Sequence, residues 1–338
     1  MYWRVLPVVA LAAPTHALIR MGCSQLVVQR LDPLVTPGQV PSPHVHQIIG
    51  GNSLNATMHP SNHDIPKMST CTTCQAADDF SNYWTAVLYF KAQNGTYKRV
   101  NQKGNAGFEG QKGGMTVYYM QNQLADYEQK TQVTAFKPGF RMFVGDLNAR
   151  TLEEAKPYRQ LTYTCLQDMS TRYPETKYLP NKPCPAGIMV NVRFPTCWDG
   201  VNLDSPNHMD HVSYPANGTF ESQGPCPNSH PVKIPQLMFE VIFDTAPFNN
   251  KADWPTDGTQ PFMWSFGDTT GYGTHGDYVF GWKDDSLQKI MNEPCYVNCK
   301  SMKTQTIDQM NSCTVEQTAK EDMDSWVKEI PGQAMTEE

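Results

Sequence analysis

Strand-like alternation, more than helical spacing, organises the hydrophobic positions of this chain. In GIMVNVRF, Ile188, Val190, Val192 and Phe194 share one face, and Met189, Asn191 and Arg193 the other. SNYWTAVLYF reads as a strand of aromatic and β-branched residues, and Asn94-Gly95 after it is a strong hairpin signal, with TYKRV returning. MTVYYM follows, then VTAF and FRMFV on either side of the turn Lys137-Pro138-Gly139. KIPQLMFEVIFDT is apolar on both faces and reads as a central strand, with Glu240 its lone acid and Arg193 a candidate partner. PFMWSF and DYVFGW bracket a glycine-rich loop, GDTTGYGTHGD. Near the start, four prolines between Pro33 and Pro43 keep the chain extended until a short strand at 45–49; residues 146–187 carry little pattern. Helical spacing enters only after about residue 283, in SLQKIM and VEQTAKEDMDSWV. The expected fold is mainly β: an antiparallel β-sandwich or jelly-roll-like domain over 18–290, with long disulfide-stapled loops and a short helical tail over 291–338.

The first 17 residues change the picture. Arg4, the apolar run 5–13 and the small-x-small site Thr15-His16-Ala17 predict a secretory signal, and no later stretch is long enough to span a bilayer. All ten cysteines follow it, so a framework of paired disulfides is expected. Cys71-Thr-Thr-Cys74 is read within that framework, since no second CxxC at zinc-finger spacing follows. Cys295, Cys299 and Cys313 are expected to hold the tail to the body. Sequons begin at Asn55, Asn94 and Asn217. Charged residues make up only 18%, and the formal net charge of −6 becomes about −7 once Arg4 leaves with the signal. That argues against a passive DNA-coating protein, which needs a broad basic face.

The richest stretch chemically is Cys197–His230, which opens and nearly closes on cysteines and carries four carboxylates and three of the nine histidines. Around it, His44-Val45-His46 puts two histidines on one face of the short strand, with Val45 on the other. They suit two ligands for one metal, or a base and its orienting neighbour. His211, His230, and His275 with Asp277 complete the candidate catalytic set. Asp199 and Asp210 are candidate metal ligands. Arg99, Lys103, Lys112 and Arg193 are candidate substrate contacts, although a solvated strand face explains most of them equally well. His59 and His63 lie in a polar loop where no role is expected. Neither GxSxG nor HExxH is present, so serine esterase and zincin chemistry have no support.

The blocks CSQLVVQRLDPLVTPGQVPSPHVHQIIGGN, STCTTCQAADDFSNYWTAVLYFKAQNGTYKRV, FPTCWDGVNLD, CPNSHPVKIPQL and GDTTGYGTHGDYVFGW resemble a large fungal family of secreted proteins with an uncharacterised domain. The likeness covers roughly residues 20–290 and includes a secreted ascomycete deoxyribonuclease. It implies a secreted phosphodiesterase acting on DNA; a histidine-centred site there must activate water or attack phosphorus itself, with Lys or Arg, or a divalent cation such as Mg, to stabilise the charged transition state. Other family members carry wall-binding modules, so a cell-wall polysaccharide hydrolase or binding protein is the alternative, with Asp199, Asp204, Asp210, Glu240 and Asp277 as carboxylates. A monomer is expected. The histidine roles require His44 and His46 to face a cleft.

Overall fold

Two main antiparallel sheets and two small three-stranded ones collect the strands of this computed structural model, which describes residues 18–120, 133–217, 224–293, 295 and 297–333. The signal expected over 1–17 lies outside the described residues. In the larger sheet the order is Leu18–Cys23, Met115–Met120, Gln236–Phe243, Ile188–Arg193, Leu161–Cys165 and Glu175–Thr176, and Gln102–Lys103 pairs with the end of Gln236–Phe243. In the second sheet the order is Val27–Gln29, His46–Gly50, Asn82–Ala86, His275–Val279 and Arg141–Gly145.

The sheets face each other across the main core. Ile49, Tyr83, Tyr278 and Met142 from the second sheet join Val117, Val192, Phe239 and Val241 from the larger one. Tyr83 meets Phe239 edge-to-face at 5.7 Å. Gly276 permits the close approach: a Cβ there would lie 2.8 Å from Val192 Cγ1. A buried polar chain runs through the same layer, with the Tyr119 hydroxyl bonded to those of Tyr83 (2.8 Å) and Tyr278 (3.0 Å), and Tyr83 donating to Asp79. The outer face of the second sheet is covered too, by Leu31, Leu34, Met58 and Ile65 packed on Ile48, Trp84, Phe143 and Val279.

The alternating stretches became strands, and Gln236–Phe243 lies in mid-sheet between two partners. Several expectations are corrected. The apolar run 81–90 breaks at Val87 into Asn82–Ala86 and Leu88–Lys91, which belong to different sheets. VTAF is not a strand, and VEQTAKEDMDSWV is not helical; the helix lies earlier, at Ile307–Ser312. Leu18–Cys23, Val27–Gln29 and Leu161–Cys165 are strands in segments that carried no clear signal. Glu240 accepts from Asn105 Nδ2 (2.6 Å) and the Tyr118 hydroxyl (2.7 Å), while Arg193 pairs with Glu175 instead.

All ten cysteines are paired: 23–74, 71–313, 165–184, 197–226 and 295–299. Of the three tail cysteines only Cys313 reaches the body; Cys295 and Cys299 close a local loop. Tyr97–Val327 backbone bonds and the Arg30–Glu321 ion pair (2.6 Å) also hold the tail down.

Candidate functional site

The site is built on the outer face of the second sheet. His46 opens its strand directly across from Ala86. His275 opens the strand on the other side of Asn82–Ala86; Asp277 faces Trp84, so His275 sits level with Ala86 two residues further on. The two histidines therefore flank an alanine, and its small side chain leaves room above the sheet. The His44 ring, from the bend before the strand, fills that room: its centroid lies 4.2 Å from His46 and 5.2 Å from His275. Val45 points the other way, into the Val28, Val87 and Tyr89 cluster. The sharing of one side by His44 and His46, expected from the alternation, thus holds, but His275 belongs to a strand start rather than a loop.

All three rings are buried, His46 entirely. His46 Nδ1 lies 3.0 Å from the Leu31 carbonyl and His275 Nδ1 3.3 Å from that of Gly273. A carbonyl can only accept, so both Nδ1 atoms carry the proton and both Nε2 atoms are bare in the neutral rings. His44 Nε2 stands 3.2 Å from His275 Nε2, and His46 Nε2 has no hydrogen-bond partner. Burial pushes the pKa of His46 and of His275 down to about 3, and that of His44 well down with help from its two neighbours, so the rings are neutral at pH 7.

One nitrogen from each ring can be chosen so that all three lie within 4.8 Å of one another. Two ligands on a tetrahedral ion with bonds of about 2.0–2.1 Å stand roughly 3.3 Å apart, close to the His44–His275 spacing. Nδ1 bonds to backbone carbonyls are also the usual outer support of a metal-bound imidazole. A plain hydrogen bond between His44 and His275 would explain their contact but leave His46 Nε2 bare in a dry interior, which is costly. Aromatic rings close the site: Phe266 lies against His44 and His275, and Phe143 stacks on His275. In the next row, neither carboxyl oxygen of Asp277 has a hydrogen-bond partner; burial, then the charge of Asp32, pushes its pKa well up.

Residues 32–282 match the family described as Domain of unknown function (DUF1996), a span that contains all three histidines. The chain belongs to that family. No curated protein and no solved structure matches it.

The remaining candidates lie elsewhere in the DUF1996 chain. His211 is buried with both nitrogens engaged, by the Ser205 hydroxyl (3.0 Å) and the Arg141 carbonyl (2.8 Å); it fastens its loop to the sheet. His230 is tied to Ser229 and the Asp210 carbonyl near the surface. Asp199 accepts from the backbone of Val201 and Asn202 and from the Asn202 amide, and Asp210 is exposed. Neither aspartate joins a ligand cluster among the described residues. The loop after Cys197 does approach the sheet, since the Leu203 and His208 carbonyls accept from Arg141 and Phe143 on the edge strand, but it adds nothing to the triad. Three expected phosphate contacts are engaged by carboxylates: Arg99 by Asp324, Lys103 by Asp244 at 2.9 Å, and the buried Arg193 by Glu175 at 2.8 Å. Lys112 is exposed, as are Asn55, Asn94 and Asn217. His63 and Arg141, given no role by the sequence, are both buried and line one pocket. Their proximity comes from tertiary contact across 78 positions, which no local pattern encodes.

Proposed function

We propose that this protein is a secreted metalloprotein whose centre is His44, His46 and His275. The observation that carries this reading is the unpartnered Nε2 of His46, buried beside the 3.2 Å pair of Nε2 atoms from His44 and His275. Three neutral imidazoles suit Zn, Cu, Fe or Ni better than Mg, which prefers oxygen ligands. The Mg ion expected with DNA chemistry therefore does not fit this donor set. A bound ion would supply Lewis acidity, redox chemistry or a cross-link; the chain's own contribution is to fix the bare Nε2 atoms of His46 and His275 beside His44 and to exclude water. Ten paired cysteines and a leader-like start support secretion. Protein purified from a secreting host, analysed by plasma mass spectrometry, should carry close to one equivalent of a transition metal per chain. His46→Ala should remove it while circular dichroism stays unchanged. Protein refolded from denaturant in the presence of Zn or of Cu that retains neither would end the proposal.

Hydrolysis of DNA by these histidines as acid and base loses its physical ground. Their rings are buried, and at pH 7 they lack the second, imidazolium proton that a general acid gives up. A wall-polysaccharide reading draws on a different feature, a groove of about 870 Å³ at the tail. Trp326 stands half exposed there beside Phe90 and Phe248, with Gln93, Asn94 and Asn101 in the walls. Asp244 and Asp253 line it together with Lys98 and Arg99, and sugar hydroxyls bond to carboxylates and amides of this kind. Metal-loaded protein should be offered plasmid DNA, laminarin, cellulose and chitin in parallel. Retention on a polysaccharide that is lost in Trp326→Ala favours the groove; plasmid nicking would return DNA to the front.

A further inference from the structure

A second polar site lies further along the same sheet face. Arg141 stands across from Val279, as Gly145 stands across from His275, so four residues, about 13 Å of strand, separate it from the histidine centre. Arg141 is only 6% exposed. Its Nη2 donates to the Met58 carbonyl (2.9 Å) and its Nε to that of Gly139 (3.4 Å). The carboxylate in ion-pair reach among the described residues, Asp204, is 3.9 Å away and already accepts from His208 Nδ1 (2.6 Å) and the Ser205 amide (2.8 Å). Nη1 donates to nothing among the described residues. A buried cation without a close counter-ion is expensive, and an anion in contact removes the cost.

His63 is 7% exposed, and its Nε2 has no hydrogen-bond partner. Burial, helped by the nearby Arg141 charge, holds its pKa down, so the ring is neutral at pH 7 and Nε2 is a bare acceptor in the tautomer that carries its proton on Nδ1. Both side chains line a pocket of about 450 Å³ whose apolar walls include Pro60, Pro138 and Phe280. Asp64 lines it too, but is paired with Lys67 at 2.6 Å. Lys283 and Asp284 stand exposed at its margin.

We propose that this pocket binds a small oxyanion that also carries a hydroxyl, with its charged oxygen on Arg141 Nη1 and its hydroxyl donating to His63 Nε2. Hydrogen phosphate groups and acidic sugars share that chemistry. The pocket has room for one such group beside the apolar wall of Pro60, Pro138 and Phe280. It does not depend on a metal at the histidine centre, because none of its residues belongs to that centre.

The test is calorimetric titration of the full secreted chain with inorganic phosphate and, separately, glucuronate, against acetate and chloride at equal ionic strength. Saturable binding of phosphate, glucuronate or both, stronger than acetate, is the expected result. Phosphate alone points to a phosphorylated ligand and glucuronate alone to an acidic sugar. His63→Leu should weaken binding by about tenfold, the scale of one lost hydrogen bond, and Arg141→Gln should abolish it. Arg141 could be needed for folding, so folded His63→Leu and Arg141→Lys proteins provide the second measurement. Binding no tighter than acetate, or wild-type affinity in folded His63→Leu, would overturn the proposal.

Discussion

Asp79 is wholly buried, and burial pushes its pKa up to about 7 despite hydrogen bonds from the Ser81 amide and the Tyr83 hydroxyl. An unfolded aspartate titrates near ~3.9, so the folded state holds the proton more tightly. The stability this contributes is present in full below pH ~4 and is lost as pH rises to about 7. Asp79→Asn keeps the neutral side chain at every pH, and its amide can donate to Tyr83, which still has Tyr119 to donate to. In urea melts the variant should lose much of the wild-type decline between pH 4 and pH 7, a difference on the order of 2–4 kcal/mol. A parallel decline in both proteins would show that Asp79 is not the group responsible. At this scale the sequence was uneven. The HxH spacing identified two of the three converging histidines, because a strand's period is local. His275 was also picked out, but as a loop residue. Arg141 went unmarked inside FRMFV, since its importance comes from having no close counter-ion, which only the packed fold reveals.

Gly276 is the contact on which the two sheets close. A methyl group there would meet Val192 Cγ1 at 2.8 Å, the Phe194 ring at 3.3 Å and the Phe239 ring at 3.4 Å. Gly276→Ala should therefore destabilise by about 1–3 kcal/mol, the usual cost of overpacking, measured as a lower midpoint in chemical denaturation. Because His275 is the preceding residue, metal content should fall in the same variant if sheet spacing sets the triad. An unchanged midpoint would mean the sheets separate easily here. Strand identity was largely legible, and strand partnership was not. Alternation tells which residues share a face, but the run 81–90 stays apolar as it passes from one sheet to another at Val87, so nothing in the pattern marks the break. The C-terminal helix was misplaced for a related reason. VEQTAKEDMDSWV has helical spacing, yet its backbone is drawn off by the body: Gln29 Oε1 takes the Thr318 amide, and Val327 pairs with Tyr97.

Across the whole molecule, Cys71–Cys313 joins positions 242 apart and fixes the tail on the body. Replacing both cysteines by serine should cost about 2–5 kcal/mol and lower any polysaccharide retention, since Trp326 lies on the tail it secures. Limited proteolysis should then cut first after about residue 300; an unchanged digestion pattern would show that the remaining tail contacts suffice. Thiol titration of the unreduced wild type should find no free cysteine. The enclosure of the triad has a consequence in time. Its ligands come from positions 44, 46 and 275, so the centre is complete only after almost the entire domain has passed out of the ribosome and folded. An ion held there would leave only when the segment around Leu31 and His44 lifts away, and the release rate would be the rate of that opening. Minutes in a chelator at room temperature would then strip nothing, even from a protein that depends on its metal. The informative experiment is slow exchange under mild denaturant, followed beside amide hydrogen exchange in residues 30–46.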